Sequence, residues 1–580
     1  MKNKAIISIA VFFAGLFSFS CNKVLDKMNL AAISPSEVWA SAANANAYLN
    51  GIYNTMMPGN TYGTGNGTDE GVAYQRTTNT WFSGTATFDS QNDFGQYNNI
   101  RTINILLANI DQATFDTNDK NAIKGQGLFW RAWAYYSLVN EYGGVPLILS
   151  PQPVTTDLTT LQLPRNTTTE CVTQIVKDLD DAIALLPTSW SGNDYGRIDQ
   201  GAAMAFKGRV LLFFASPLFN PNNDPTKWQA AYAATSAANT FCAAHGKALH
   251  PVYNTIWNSQ PNEEDIMIHL FSYPQATYFQ GGLIPLNWSK DAVGYDRPSL
   301  ELVNAFPMKD GSAWDPTKMA YDTLFKNRDD RFYANIYYNG DPIQYLAGMK
   351  ASNTYLWTYF DSVTNYDGPS GIEGAHNQVT TDPLWSNSSF YRMKAIDPTI
   401  VQGTVYNAAV DWPEIRYAEV LMNYGEAANE VGNTQVALNV LHQIRARAGI
   451  LPGAGNNYGI TATSQSAIRT AYQNERFVEF AFEGKRWNDL RRWKLFGYLR
   501  GLGQRHGLGI VLKSGQTDVN PLDDINVVWP KFTSTVIPTD VYNIAIKDQY
   551  YIYGIPLAVL NRNPKLQQNN NWGGTFDPLQ

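Results

Sequence analysis

Apolar residues recur at helical spacing along most of the 580-residue chain, and the breaks in that period divide it. Val38, Ala42, Ala45, Leu49, Ile52, Tyr53 and Met56 form one stripe, so a helix is expected from Glu37 to about Met57 with Ser36 as its cap. The period stops over residues 58–98, which are rich in Gly, Asn and Thr, and long loops of that kind often carry function. It resumes near Ile100–Gln112 and over Thr117–Tyr142, the second ending at Gly143-Gly144 and Pro146. Thr167 and Glu170 make a capping box for a helix running to Leu186. Ala202–Ala215 is apolar almost all round, which predicts a helix buried between neighbours, and another helix is expected over Trp228–Ala244.

From Phe271 to Val410 the period fades, and Arg331–Tyr338 reads as an extended piece without an assignable register. Helix signals return at Asp411, read as an N-cap with Pro413 in the first turn. Ile415–Glu430 and Thr434–Ala448, joined through Gly432-Asn433, read as an αα-hairpin. In the stretch 474–493, Glu475, Glu479 and Glu483 recur every four residues. Like charges so spaced cost a helix on the order of a few tenths of a kcal/mol per pair. The cations close in sequence, Arg476, Lys485, Arg486, Arg491 and Arg492, are expected to answer them in a structural ion-pair network. The competing reading makes two of these Glu a glycosidase's acid and nucleophile. Arg neighbours keep carboxylates ionised, whereas a general acid needs a raised pKa.

Composition narrows the class. A chain that is 44% hydrophobic and 16% charged is a folded one with a large core. Its net charge of −7 offers no electrostatic footprint for nucleic acid. At the N-terminus, Lys2 and Lys4 precede an apolar run from Ala5 to Phe19, too short to span a bilayer and read as a secretory leader. It ends Ser18-Phe19-Ser20-Cys21, which looks like a lipobox with Cys21 diacylated; the other reading is a cleaved signal with an incidental Cys. No other stretch reads as transmembrane, so the protein is expected to be anchored to a membrane rather than to span it. Cys171 and Cys242 are expected to be buried thiols, although spacing does not tell whether they meet. The six His lack metal-ligand spacing, and no nucleotide or nucleophile-elbow motif appears in context, so no metal or cofactor is expected.

Several motifs fall in one order along the chain. They are Arg131-Ala132 to Tyr142-Gly143-Gly144-Val145-Pro146-Leu147, Lys207 and Arg209 in an apolar helix, Glu414 to Leu421, and Asn439 to Gly449. Then come Glu475-Arg476, Glu479, Ala481-Phe482-Glu483-Gly484, Arg486-Trp487 and Asp489 to Trp493, and last Tyr553 to Pro556 with Asn563 to Leu566. Together they resemble SusD/RagB-type outer-membrane nutrient-binding lipoproteins. The resemblance implies a mainly α fold, a TPR-like superhelix of helix hairpins with a loop-rich, irregular half carrying short strands. On that reading residues 1–21 are the leader and 22–580 one domain. The scaffold lies mainly in 36–57, 100–245 and 411–493, and the loop-rich half mainly in 58–98, 271–410 and 494–580.

The implied function is a cell-surface glycan-binding lipoprotein that delivers oligosaccharide to a partner TonB-dependent (SusC-like) transporter barrel, without catalysis. Peptide capture by the same kind of protein is an alternative. So is a secreted lipoprotein glycoside hydrolase using Glu475/Glu479 or Asp329/Asp330. Sugars present apolar faces and hydroxyl edges, which flat aromatics and fixed polar groups on loops would grip. The candidates are Trp81, Trp288, Trp314, Trp357 and Trp385, with Asp69, Arg76 and Asn79 for hydroxyls. Trp81 leads, because Thr77 to Thr80 and Ser83-Gly84 around it are small and polar and leave it no core stripe to join. Trp130, Trp133 and Trp412 are read as core.

Overall fold

The computed structural model describes residues 35–580 apart from 61–64, 74–77, 92–93, 282, 284–295, 318–322, 343–354, 357, 361–374, 377–387, 398, 401–403 and 517–528. Cys21 and the rest of the stretch read as a leader lie outside the described residues. Helices Gln96–Ile110, Thr117–Tyr142, Thr168–Leu185, Gln200–Ala215 and Pro225–Ala244 follow one another, and each packs on the next. The hairpin Tyr417–Glu430 and Thr434–Arg447 continues the stack and is followed by Gln465–Glu479. The architecture is the expected TPR-like helical scaffold, and one large core of interlocking apolar stripes runs through it.

Local chemistry accounts for the helix ends. The Asp116 carboxylate accepts the Asn118 N–H at 2.7 Å, and Thr167 and Glu170 close the predicted capping box. Tyr142 is followed by Gly143 at φ +75°, where an added Cβ would collide with Pro578, so the stop requires glycine. The first helix departs from expectation. It is a short turn Pro35–Val38 and then Ala42–Met56, capped by Ser41 at 3.2 Å, with Ala45, Leu49, Ile52 and Met56 buried as read.

Two further expectations are corrected. Asp411-Trp412-Pro413 does not start a helix: Trp412–Arg416 is a strand, antiparallel to Asp265–His269, and the helix begins at Tyr417. Pairing to a segment roughly 145 residues earlier overrides the local cap signal. Arg331–Tyr338 is a helical turn, Asp330–Asn335, leading into a two-residue strand at Ile336–Tyr337 that pairs with Tyr391–Arg392. The irregular half also holds a sheet in which His506–Leu512 pairs antiparallel with Phe532–Pro538 and meets Phe360 in parallel. A second core lies beneath it, containing Phe306, Phe325, Phe332 and Trp529. Cys171 and Cys242 are both free and buried. No helix among the described residues is long and apolar enough to cross a membrane.

Candidate functional site

The Gln465–Glu479 helix does not continue through Glu483. The chain turns at Phe482 (φ +60°) and Gly484 (φ +71°) before the helix Arg486–Arg492. All three carboxylates of the stripe are nevertheless buried in one ion-pair network. Glu475 meets Arg445 and Arg331, each at 2.7 Å. Glu479 meets Arg331 and Arg416, each at 2.8 Å, and Arg447. Glu483 meets Arg416 at 2.9 Å and Lys394 at 2.7 Å. Burial alone would raise these carboxyls; the facing cations outweigh it and hold all three below the usual carboxylate range. None has the raised pKa a general acid needs. Asp329 is buried on Arg331 at 2.5 Å while Asp330 faces out to Lys309 at 2.5 Å, so these neighbours share no site either.

The partners differ from those expected. The sequence-near cations answer other acids: Arg476 and Arg492 hold Asp489, Arg492 also holds Glu426, and Lys485 holds Glu414. Arg486 takes Asp69 in a fork of 2.8 and 2.7 Å. Asp69 is thus fully buried and committed to the scaffold, which corrects its expected role as a ligand group on an open loop. Its neighbour Glu70 accepts the Phe482 N–H at 2.9 Å and the Thr68 hydroxyl at 3.2 Å. The opening of the early loop is therefore a clasp on the turn between the two motif helices.

The remaining predicted residues separate. The Asn79 side-chain oxygen accepts the N–H groups of Trp81 and Phe82 at 3.0 and 3.1 Å, and the Asn79 backbone N–H donates to the Tyr542 hydroxyl. Its carbonyl oxygen builds the turn that carries Trp81. Trp81 is half-buried, with its ring 4.8 Å from Tyr553, 5.0 Å from Tyr550 and 6.4 Å from Trp487. Far from having no core to join, it closes the edge of the main one. Trp314 is buried in the second core beneath Arg328, which corrects its reading as a platform. Trp130 and Trp412 are fully buried, and Trp133 packs against the same core as Trp130. Arg76, Trp288, Trp357 and Trp385 lie outside the described residues.

An aromatic pair that sequence reading passed over is better placed for a ligand. The Phe279 and Tyr406 rings stack 4.6 Å apart at 28°, and Tyr406 is 58% exposed. Two backbone bonds hold the pair, Tyr278 N–H to Ala408 O at 2.9 Å and Gln280 N–H to Val405 O at 2.8 Å. An added Cβ at Gly281 would stand 2.5 Å from the Phe279 ring, so glycine is what lets that ring lie flat there. The signal was available as an aromatic in each of two short, polar loop runs. Their pairing across more than a hundred residues was not.

The SusD family model matches residues 254–572, and a second model, described as starch-binding and associating with the outer membrane, matches residues 23–212. SusD-like protein P2 of Formosa agariphila is 23% identical over 402 residues, 68% of this chain and 70% of its own length. SusD-like protein P38 of the same organism is 21% identical over 538 residues, 87% of this chain and 94% of its own. Among solved structures, a SusD-like protein from Bacteroides fragilis superposes with a TM-score of 0.72 at 22% identity, covering 92% of this chain and 97% of that one. A laminarin-binding SusD-like protein gives 0.58 at 19% identity, over 91% and 99%. With a family model covering more than half of the chain and the same helical scaffold in its structural neighbours, this protein belongs to the SusD family.

Proposed function

We propose that this protein captures oligosaccharide at the outer surface of the outer membrane, held there by a lipid on Cys21, and passes it to a TonB-dependent transporter barrel without cleaving it. The observation that carries the reading is the exposed, braced ring of Tyr406 on Phe279. A pyranose offers an apolar C–H face, and an aromatic ring already fixed in place binds it with little further loss of rotamer freedom. Laminarin binding by one structural neighbour and the starch-binding description of the second family model support a glucan as the first class to try. The absence of cleavage is supported by the motif carboxylates, each already neutralised by a cation.

Laminari- and malto-oligosaccharides titrated calorimetrically into the soluble part test the platform. Stacking contributes on the order of 1–3 kcal/mol, by analogy with bases on aromatic side chains, so Tyr406→Ala should weaken binding roughly tenfold or more with an unchanged melting curve. Trp81→Ala should do the opposite and lower stability by about 3 kcal/mol, because its ring closes a packed cluster. A Tyr406→Ala protein that binds as well as wild type removes the platform. The anchor and partner have their own readout. Cys21→Ala should release the mature chain from membranes or leave it unprocessed, and gentle detergent extraction of wild type should bring down a larger β-barrel protein. Unchanged membrane fractionation of the variant with no acyl label on wild type would refute the anchor, and recovery of the wild-type chain alone would refute the partner.

A further inference from the structure

Tyr406 can serve as a platform only if Phe279 beneath it stays in place, and regular secondary structure does not hold Phe279. Residues 277–280 lie in no helix and no named strand, and only the isolated bridge of Tyr278 to Ala408 passes through them. The hold comes from the residues on either side of the ring. Gln280 is fully buried. Its Nε2 donates to the Asp397 carbonyl at 3.0 Å, and its Oε1 accepts the Asp397 N–H at 2.8 Å. One residue before Phe279, the Tyr278 hydroxyl donates to the Ala395 carbonyl at 3.1 Å. Both neighbours of Phe279 therefore close on the same segment, 395–397.

That segment is itself an anchor. Lys394, just before it, is buried with its Nζ on Glu483 of the motif network at 2.7 Å. Ile396 is buried with Leu283 and Val405 in a small core against which Phe279 packs. Ala395 stands at φ +58°, a backbone region in which a side chain is strained. Such strain persists only where surrounding contacts over-determine it, and it concentrates at functional sites. Here the contacts are Lys394 from the scaffold side and Tyr278 and Gln280 from the platform side. A buried amide at position 280 also costs desolvation that an apolar side chain of the same size would not. What the amide adds is direction. Two bonds to one residue fix the backbone beside Phe279 in rotation as well as in position.

We infer that Gln280, seconded by the Tyr278 hydroxyl, is the positioning residue of the carbohydrate platform: it sets affinity by holding Phe279, and through it the Tyr406 ring, in the binding orientation before a sugar arrives. This rests on the reading of Tyr406 as the platform. A ring ordered beforehand spares the complex the rotamer freedom that a loose ring would lose on binding.

Laminarihexaose and maltohexaose, titrated calorimetrically into the soluble protein, are the probes. Gln280→Met keeps the volume and loses both bonds, and should weaken binding about threefold to tenfold, the factor for ordering one side chain at the moment of binding. Tyr278→Phe loses a single bond at a partly buried position, keeps the fold, and should weaken binding in the same direction by less. Added to Tyr406→Ala, Gln280→Met should have no further effect, because the ring through which it acts is gone. A Gln280 that served the fold alone would lower the melting temperature and leave affinity unchanged. Unchanged affinity in both single variants, while Tyr406→Ala weakens binding, would overturn this inference and leave the platform standing. So would a loss from Gln280→Met as large in the Tyr406→Ala background as in wild type. Binding of neither probe by wild type, or a Tyr406→Ala protein that binds as well as wild type, would remove the platform and this inference with it.

Discussion

Glu479→Ala is expected to cost the fold about 3–5 kcal/mol, because it strands cations inside the protein rather than merely removing a contact. Arg331, Arg416 and Arg447 converge on this one carboxylate, and all four side chains are almost wholly buried. Without it the three guanidinium groups repel one another, with Glu264, Glu475, Glu483 and Asp329 left to share them. The comparison is Asp111→Ala, which removes the half-exposed partner of Lys124 and should cost at most about 1 kcal/mol. Urea denaturation of both variants decides the matter. Equal, small losses would mean that the network relaxes or admits water and that the motif is not what secures the scaffold.

Glu70→Gln should act in the other direction, and only above acidic pH. Burial, with the nearby Asp69 and Asp296 carboxylates adding to it, pushes the Glu70 carboxyl up to about 8 against the bond from Phe482 N–H and the charge of Arg486. In the unfolded chain the same group ionises near 4.5. Between these values the unfolded state releases a proton that the folded state keeps, so stability is full below pH 4.5 and falls as pH rises toward 8. At about 1.4 kcal/mol per pH unit the loss is of order 4–5 kcal/mol. Glutamine keeps an acceptor for Phe482 and carries no proton to lose. The variant should therefore match wild type near pH 4.5 and exceed it by several kcal/mol near pH 8. Denaturation curves for the pair that run parallel at both pH values would show that Glu70 ionises normally, and that its grip on the motif turn is that of an ordinary carboxylate.

Sequence by itself determined what is local. The capping box at Thr167 and Glu170, the glycine stop after Tyr142 and the all-round apolar run Ala202–Ala215 act within one or two helical turns, and the helices stand within a few residues of where these signals put them. It also determined that the stripe Glu475, Glu479, Glu483 needed cations, since like charges at that spacing cannot be buried unanswered. Which cations answer was decided by the tertiary structure. Arg331, Arg416, Arg445 and Arg447 arrive from other elements, because the turn at Phe482 and Gly484 swings the sequence-near arginines toward Asp69, Glu426 and Asp489. The same holds for the strand Trp412–Arg416, read as a helix start until Asp265–His269 paired with it. Asp69 and Trp81 looked like ligand groups because their sequence neighbours are small and polar. Both are claimed by partners more than four hundred residues away, Arg486 for the first and Tyr550 and Tyr553 for the second. Periodicity and capping are short-range in their physics, whereas burial of a charge or a ring depends on whatever the fold brings against it, and spacing along the chain carries no record of that.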